Sequence, residues 1–270
     1  MAPTEAKNYN RSMRDTNPVA DPLLLGGARL DLGPAGQIRL TIPPTTRGYA
    51  DAQMDDHRRM PRRRFPWRPP VRLTLRARAS HPAPLGTLGF GFWNDPFSLS
   101  LGQGGAARRL PASPHALWFF YGSLPNDLAF AAGIPGSGWK AMSLKSPSVP
   151  SPILAPAALG AWLLSRLPGA RRPVVQAMRR AVTASEAALA TSLSEWHTYA
   201  IEWHPCEASF AVDNEILLAA PEPPPGPLGF IAWIDNQYAV ASPEGGLRFG
   251  LIPTPETQWL EICDLRLEEL

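Results

Sequence analysis

Side chains suited to a hydroxylated, ring-shaped ligand fall in three short stretches of this sequence. Trp93-Asn94-Asp95-Pro96 closes a glycine-rich run in which alternation puts Gly89, Gly91, Trp93 and Asp95 on one face. Small residues there would leave space beside an aromatic platform; the competing reading makes Trp93 core and Asn94-Asp95-Pro96 a turn. Trp233, Asp235 and Gln237 alternate in the same way, with Phe230, Ala232, Ile234 and Asn236 on the opposite face. Trp118 and Phe120 add rings from a third run. An indole stacks on an apolar face while a carboxylate and an amide bond hydroxyls, so these seven residues form the candidate ligand-binding set. Facing each other across a cleft, Asp95 and Asp235 would make a catalytic acid/base pair.

A second chemistry is basic. Nine arginines lie between Arg58 and Arg78 with no acid among them, and five more between Arg166 and Arg180. Arg58, Arg59, Arg62, Arg63, Arg64 and Arg68 crowd a loop with Phe65 and Trp67, a pattern suited to an anionic membrane surface or an acidic partner. Nucleic acid is disfavoured, because no nucleic-acid-binding motif accompanies the patch. The run Ile153 to Leu164, followed by arginines, has an interfacial character of its own, or packs as a lid.

Other chemistries find no support. The five histidines lack metal-ligand spacing, so no metal and no cofactor is expected. There is no phosphate-binding glycine loop, CxxC pair or nucleophile elbow. Cys206 and Cys263 are too few for a disulfide scaffold. The opening MAPTEAKNYNRSMRDTNPVADP has no apolar core of a leader, and no run is long enough to span a bilayer, which predicts a cytoplasmic protein.

The elements that must position these residues are strands. With 32 Pro and 22 Gly in 270 residues, long helices are disfavoured. Strand patterns fall at Leu24–Leu32, Gln37–Ile42, Gly48–Met54, Val71–Ala79, Gly86–Asp95, Phe97–Leu101 and Ala116–Gly122. They resume at Trp196–Trp203, Ala208–Val212, Ile216–Ala219, Leu228–Tyr238, Leu247–Leu251 and Trp259–Leu267. Arg72, Arg76 and Arg78 alternate with Val71, Leu73, Leu75, Ala77 and Ala79 and read as a solvated face. Residues 1–20 read as a mobile arm, 146–156 as a linker, and 157–193 as two helices split at Leu167-Pro168-Gly169. The expected architecture is an all-β, two-sheet antiparallel sandwich of jelly-roll type over 21–270, with a helical insertion at about 157–193.

Trp196-His-Thr-Tyr-Ala-Ile-Glu-Trp203, followed by Val212-Asp213-Asn214, resembles the W-H-x-Y-x-I-E-W…V-D-G hairpin of glycoside hydrolase family sixteen. These are the concanavalin A-like glucanases of laminarinase and lichenase type. Pro69–Ala79, Gly86–Trp93, Pro227–Asp235 and Trp259–Leu267 resemble other strands of that family in the right order. The resemblance implies a concanavalin A-like sandwich with a glycan or other small molecule on its concave sheet, and a structural calcium in some relatives. It also implies two catalytic carboxylates about 5–5.5 Å apart, which the family writes on one strand as E-x-D-x-(x)-E. No such triplet lies between Trp93 and Trp196, where the matching Leu117-Trp-Phe-Phe-Tyr-Gly122 carries no acid. A ligand-binding, carbohydrate-related protein is therefore expected rather than a standard retaining glucanase. The alternatives are an enzyme using Asp95 and Asp235, and an interaction module using the arginine loop and the helices.

Overall fold

The computed structural model describes residues 22–96, 109–131 and 133–270. One seven-stranded antiparallel sheet runs in the order Glu215–Pro221 (β12), Glu207–Val212 (β11), His197–Trp203 (β10), Val71–Ala79 (β5), Gln258–Glu269 (β16), Ile38–Ile42 (β3) and Arg29–Leu32 (β2). The other runs Leu23–Leu25 (β1), Asp51–Asp55 (β4), Gly229–Asp235 (β13), Thr87–Trp93 (β6), His115–Gly122 (β7), Gly138–Lys145 (β8) and Thr183–Ala188 (β9). Gln237–Ser242 (β14) and Gly246–Leu251 (β15) form a separate two-stranded ribbon. The fold is thus the expected all-β jelly-roll sandwich. The arm at 1–20 and the strand expected at Phe97–Leu101 lie outside the described residues.

The hairpin sequence is explained by what it packs against. Alternation turns Tyr199, Ile201 and Trp203 of β10 and Phe210 of β11 inward, all buried. Tyr199 meets Phe90 and Phe119 of the opposite sheet at ring separations of 5.1 and 5.0 Å, and Trp203 meets Phe92 at 5.6 Å. Each such pair contributes roughly 0.5–1.5 kcal/mol beyond area burial, so this hairpin clamps the two sheets together. Its outer turn uses Asp213 and Asn214 at φ 50° and 70°, the left-handed pair a tight hairpin requires. Asp213 also accepts the Thr198 amide and lies 2.6 Å from His197 Nδ1, so His197 serves the turn.

On the outside of that sheet Arg39, Arg72 and Arg76 are exposed and Arg78 half-buried, the solvated face that alternation predicts. Arg39 and Arg78 both bond the buried carboxylate of Glu261, and Arg78 and Arg76 lie over the Trp196 ring.

Several boundaries differ from the sequence expectation. Leu24–Leu32 breaks at Gly26-Gly27, both with positive φ, into strands that join different sheets. Leu228–Tyr238 breaks after Asp235, where buried Asn236 donates to the carbonyls of Gly48 and Ile252. Helices occupy Ser151–Leu164 (α1) and Pro168–Arg180 (α2), so the helical stretch starts inside the expected linker and ends before residue 183. Thr183–Ala188 is instead the edge strand β9, because pairing with β8 overrides the helix preference of its alanines. Both cysteines are free.

Candidate functional site

The β6 sheet turns Leu88, Phe90, Phe92, Leu117, Phe119, Phe230, Ala232 and Ile234 into the sandwich core. Alternation then places a second set of side chains on its outer face, and the strand register arranges them in rows. Asp51, Asp235 and Thr87 stand side by side on β4, β13 and β6. The next row holds Gln53, Trp233, Gly89, Phe120 and Lys140, and the row after it Asp55, Ile231, Gly91, Trp118, Met142 and Glu186. Trp93 stands in the fourth row, opposite Gly229 and Ala116.

Four of the predicted ligand residues therefore come together. Trp93 and Trp118 lie 5.9 Å apart, Trp118 and Trp233 5.4 Å, and Phe120 packs at 5.8 Å from Trp118. The expected space beside these glycines is taken up, by the Trp233 indole within 2.7 Å of a Cβ on Gly89 and by the β7 backbone, with Trp118 Cα within 2.6 Å of one on Gly91. Trp233 and Phe120 are buried as a floor, while Trp93 and Trp118 stay partly open to solvent. Leu128 and Phe130 of the loop after β7 pack on the same cluster. That loop is pinned to β14 through Asp127, which bonds Ala239 and Ala241.

The three indole N–H groups are not equivalent. Trp233 donates to Thr87 Oγ1 at 3.0 Å, and Thr87 donates in turn to Asp235 Oδ1 at 2.7 Å. Trp93 donates to His57 Nε2 at 3.2 Å, and His57 Nδ1 lies 3.1 Å from the Phe230 carbonyl, contacts that the neutral Nδ1–H ring satisfies. Burial works against charge on His57, but Asp56 and Asp55 outweigh it and raise the pKa, so protonation at Nε2 competes with the Trp93 contact. Trp118 Nε1, between these two, is buried and has no acceptor. A buried donor without a partner costs roughly 1–3 kcal/mol, which a ligand oxygen would recover.

The acid pair differs from the expected one. Asp95 and Asp235 stand at opposite ends of β6: Asp235 is level with Thr87, and Asp95 lies past Trp93, which is itself about 20 Å along the strand. Asp95 is instead ion-paired to the nearly buried Arg109, in a turn where its own φ is 48°. The partner of Asp235 is Asp51, directly opposite it on β4. Burial raises both pKa values, that of Asp235 from 3.8 to about 6 despite the stabilising Thr87 and Gln237 hydrogen bonds. Asp51 is pushed further by the Asp235 charge, and its Oδ1 has no hydrogen-bond partner. Tyr49, whose Oη lies 3.5 Å from Asp235 Oδ2, is held neutral by burial and the two carboxylates. Gln237 leaves the sheet for β14 and reaches the pair through its backbone amide, 3.0 Å from Asp235 Oδ1. Sequence reasoning treated Asp51 as plain strand, although Asp51, Gln53 and Asp55 alternate with Ala50, Ala52 and Met54 as a polar face.

Lys140 and Glu186 are a second omission. The Lys140 ammonium is buried, donates to the carbonyls of Leu128 and Pro135, and lies 3.9 Å from Glu186 Oε1. Burial lowers its pKa against the pull of Glu186 and Asp127. Glu186 Oε2 accepts the amides of Phe130 and Ala131, so this pair anchors the loop that covers one end of the aromatic strip.

The basic loop divides in two. Arg62 is spent on the carbonyls of Asn94, Asp95 and Leu110, and Arg58 bonds the Pro22 carbonyl. Arg59, Arg63, Arg64 and Arg68 are exposed on the surface. Among the described residues there is no cluster of three or more potential metal ligands, and no helix long and apolar enough to cross a membrane.

No family model matches the chain, and no curated protein matches it in sequence. Solved structures that resemble it include an endo-β-1,4-glucuronan lyase from Trichoderma reesei, 10% identical with a TM-score of 0.45, over 92% of this chain and 90% of that one. The LamA catalytic domain from Zobellia galactanivorans is 12% identical with a TM-score of 0.46, over 87% and 78%. A legume lectin-like domain from Entamoeba histolytica is 9% identical with a TM-score of 0.47, over 93% and 91%. Likeness at this level assigns none of those proteins' ligands or activities to this chain.

Proposed function

We propose that the outer face of the β6 sheet binds a ligand with an apolar ring face and oxygen acceptors, the chemistry of a carbohydrate. The observation that carries this reading is Trp118: its ring is partly open beside Trp93, and its indole N–H is the one of three on this face without an acceptor. A sugar ring stacked across Trp93 and Trp118 would take the buried N–H as a donor once the Trp118 side chain turns outward, with Gln53 beside the floor tryptophan for a further hydroxyl. Retaining glucanase chemistry is not part of the proposal, since β7 has no carboxylate. Titration of tryptophan fluorescence with neutral and uronic-acid oligosaccharides tests it. Binding should disappear in Trp118→Ala and weaken about tenfold in Trp118→Phe, which keeps a ring but loses the donor. Equal affinity in all three proteins, or no response to any of these sugars, would overturn it.

A second reading is favoured by the Asp51–Asp235 pair. Two facing buried carboxyls, Asp235 with its pKa raised to about 6 and Asp51 also raised by burial and by the Asp235 charge, are equipped for general acid/base work on a ligand bound beside them. Oligosaccharide cleavage that is lost in both Asp235→Asn and Asp51→Asn, with binding retained, supports this reading; cleavage surviving either change rejects it.

A further inference from the structure

We propose that α1, α2 and the β14–β15 ribbon form a docking face for an anionic phospholipid surface, with an arginine-lined cavity that takes the lipid phosphate. α1 carries no charged residue and is apolar around its whole circumference. It packs chiefly on α2, which in turn lies on β14 and β15. Its outward side chains are therefore left in water: Ile153 is 59% exposed, Leu159 58% and Leu163 53%, and Leu167 in the turn 55%. Phe249 on the neighbouring ribbon is 67% exposed. Isolated exposed leucines are ordinary, but a helix with no polar face is not, unless something apolar covers it.

Charge indicates what that cover is. Residues 151–182 contain five arginines and no acid. Where α2 meets the ribbon, a cavity of about 320 Å³ is lined by Arg166, Arg171, Tyr238, Gly245, Gly246 and Arg248, among others. Arg171 is oriented by the Ser165 and Glu244 carbonyls, and Arg166 stacks on Trp162 at 4.4 Å. Among the described residues, none of the three arginines has a carboxylate partner. Guanidinium groups left without counterions beside exposed leucines and a tryptophan suit a phosphate headgroup whose acyl chains begin at the same depth. At 14 residues α1 is about 21 Å long, short of the roughly 30 Å hydrocarbon core, so it would lie in the interface rather than span it.

Flotation with vesicles of phosphatidylcholine, alone or mixed with phosphatidylglycerol, tests the proposal on the full chain. The protein should float with the mixed vesicles only, and raised salt should release it. Arg166→Gln and Arg248→Gln should each weaken binding about fivefold. The double change Leu163→Asp and Leu167→Asp, at exposed positions where near-ultraviolet circular dichroism can verify the fold, should abolish it. Three outcomes overturn the proposal. One is wild-type protein left unbound by the mixed vesicles. Another is a thermal shift with glycerol phosphate but no flotation, which would make the cavity a site for a soluble phosphate ester. The third is a dimer that the leucine changes dissociate while lipid binding persists.

Discussion

Asp51 and Asp235 face each other on adjacent antiparallel strands, both buried, and the Thr87 hydroxyl and Gln237 amide reach only Asp235. Stabilising donors thus favour charge on Asp235, while Asp51, desolvated beside that charge, keeps a proton to higher pH. The pair behaves as one titrating unit rather than as two independent acids.

A stability profile follows from the sign of these shifts. Below about pH 4, near the ordinary value of 3.8, both folded and unfolded chains hold the protons and the pair costs nothing. As pH rises from there to about 6, the unfolded chain releases protons that the folded chain retains, so stability falls across that window through Asp235 and keeps falling at higher pH through Asp51. Asp51→Asn should remove the Asp51 share of this loss and make the protein more stable at neutral pH, while the Asp235 share, which burial sets, remains. Urea unfolding of both proteins across this range measures the difference. Parallel profiles would show that folding does not shift Asp51.

Gly89 sets the height of the aromatic floor. A methyl group there would run into the Trp233 indole and the Phe119 carbonyl. Gly89→Ala should therefore cost about 1–3 kcal/mol and displace Trp233 toward Trp118, changing tryptophan fluorescence. A variant with wild-type stability and emission would mean that the ring is not seated on β6.

Period-two patterns made β5, β6, β7 and the β10–β11 hairpin legible in the sequence, because each has one apolar face against the core. Alternation also grouped Trp93, Trp118, Phe120 and Trp233 correctly, since facing depends only on counting by twos. It could not give height along a strand. Counting by twos sets Asp95 and Asp235 on one face, yet β6 ends at Trp93 and the antiparallel register of β13 on β6 holds the two acids at opposite ends of the strand. Register depends on pairing between segments far apart in the chain, and the same blindness hid Asp51, whose partner is on another strand. β9 is hidden for a different reason, the helix preference of its alanines, which pairing with β8 overrides. Lys140 and Glu186 look like solvent-facing charges, but a loop folded over the outer face buries both.

That buried pair supports a prediction about the loop as well as about stability. Lys140→Met keeps the side chain's length but removes the donors to Leu128 and Pro135, leaving Glu186 buried with no nearby ammonium. Losing one partner of a buried pair costs about 3–5 kcal/mol, most of it from the charge left behind. Glu186→Gln alone should cost less, since the remaining oxygen can still accept the Phe130 and Ala131 amides. If the charges are coupled, the double variant recovers part of the Lys140→Met loss, because no unpaired charge remains. Denaturant midpoints of the four proteins measure that coupling. Strictly additive costs would mean that Lys140 holds the loop through its carbonyl contacts alone, and that Glu186 needs no counterion.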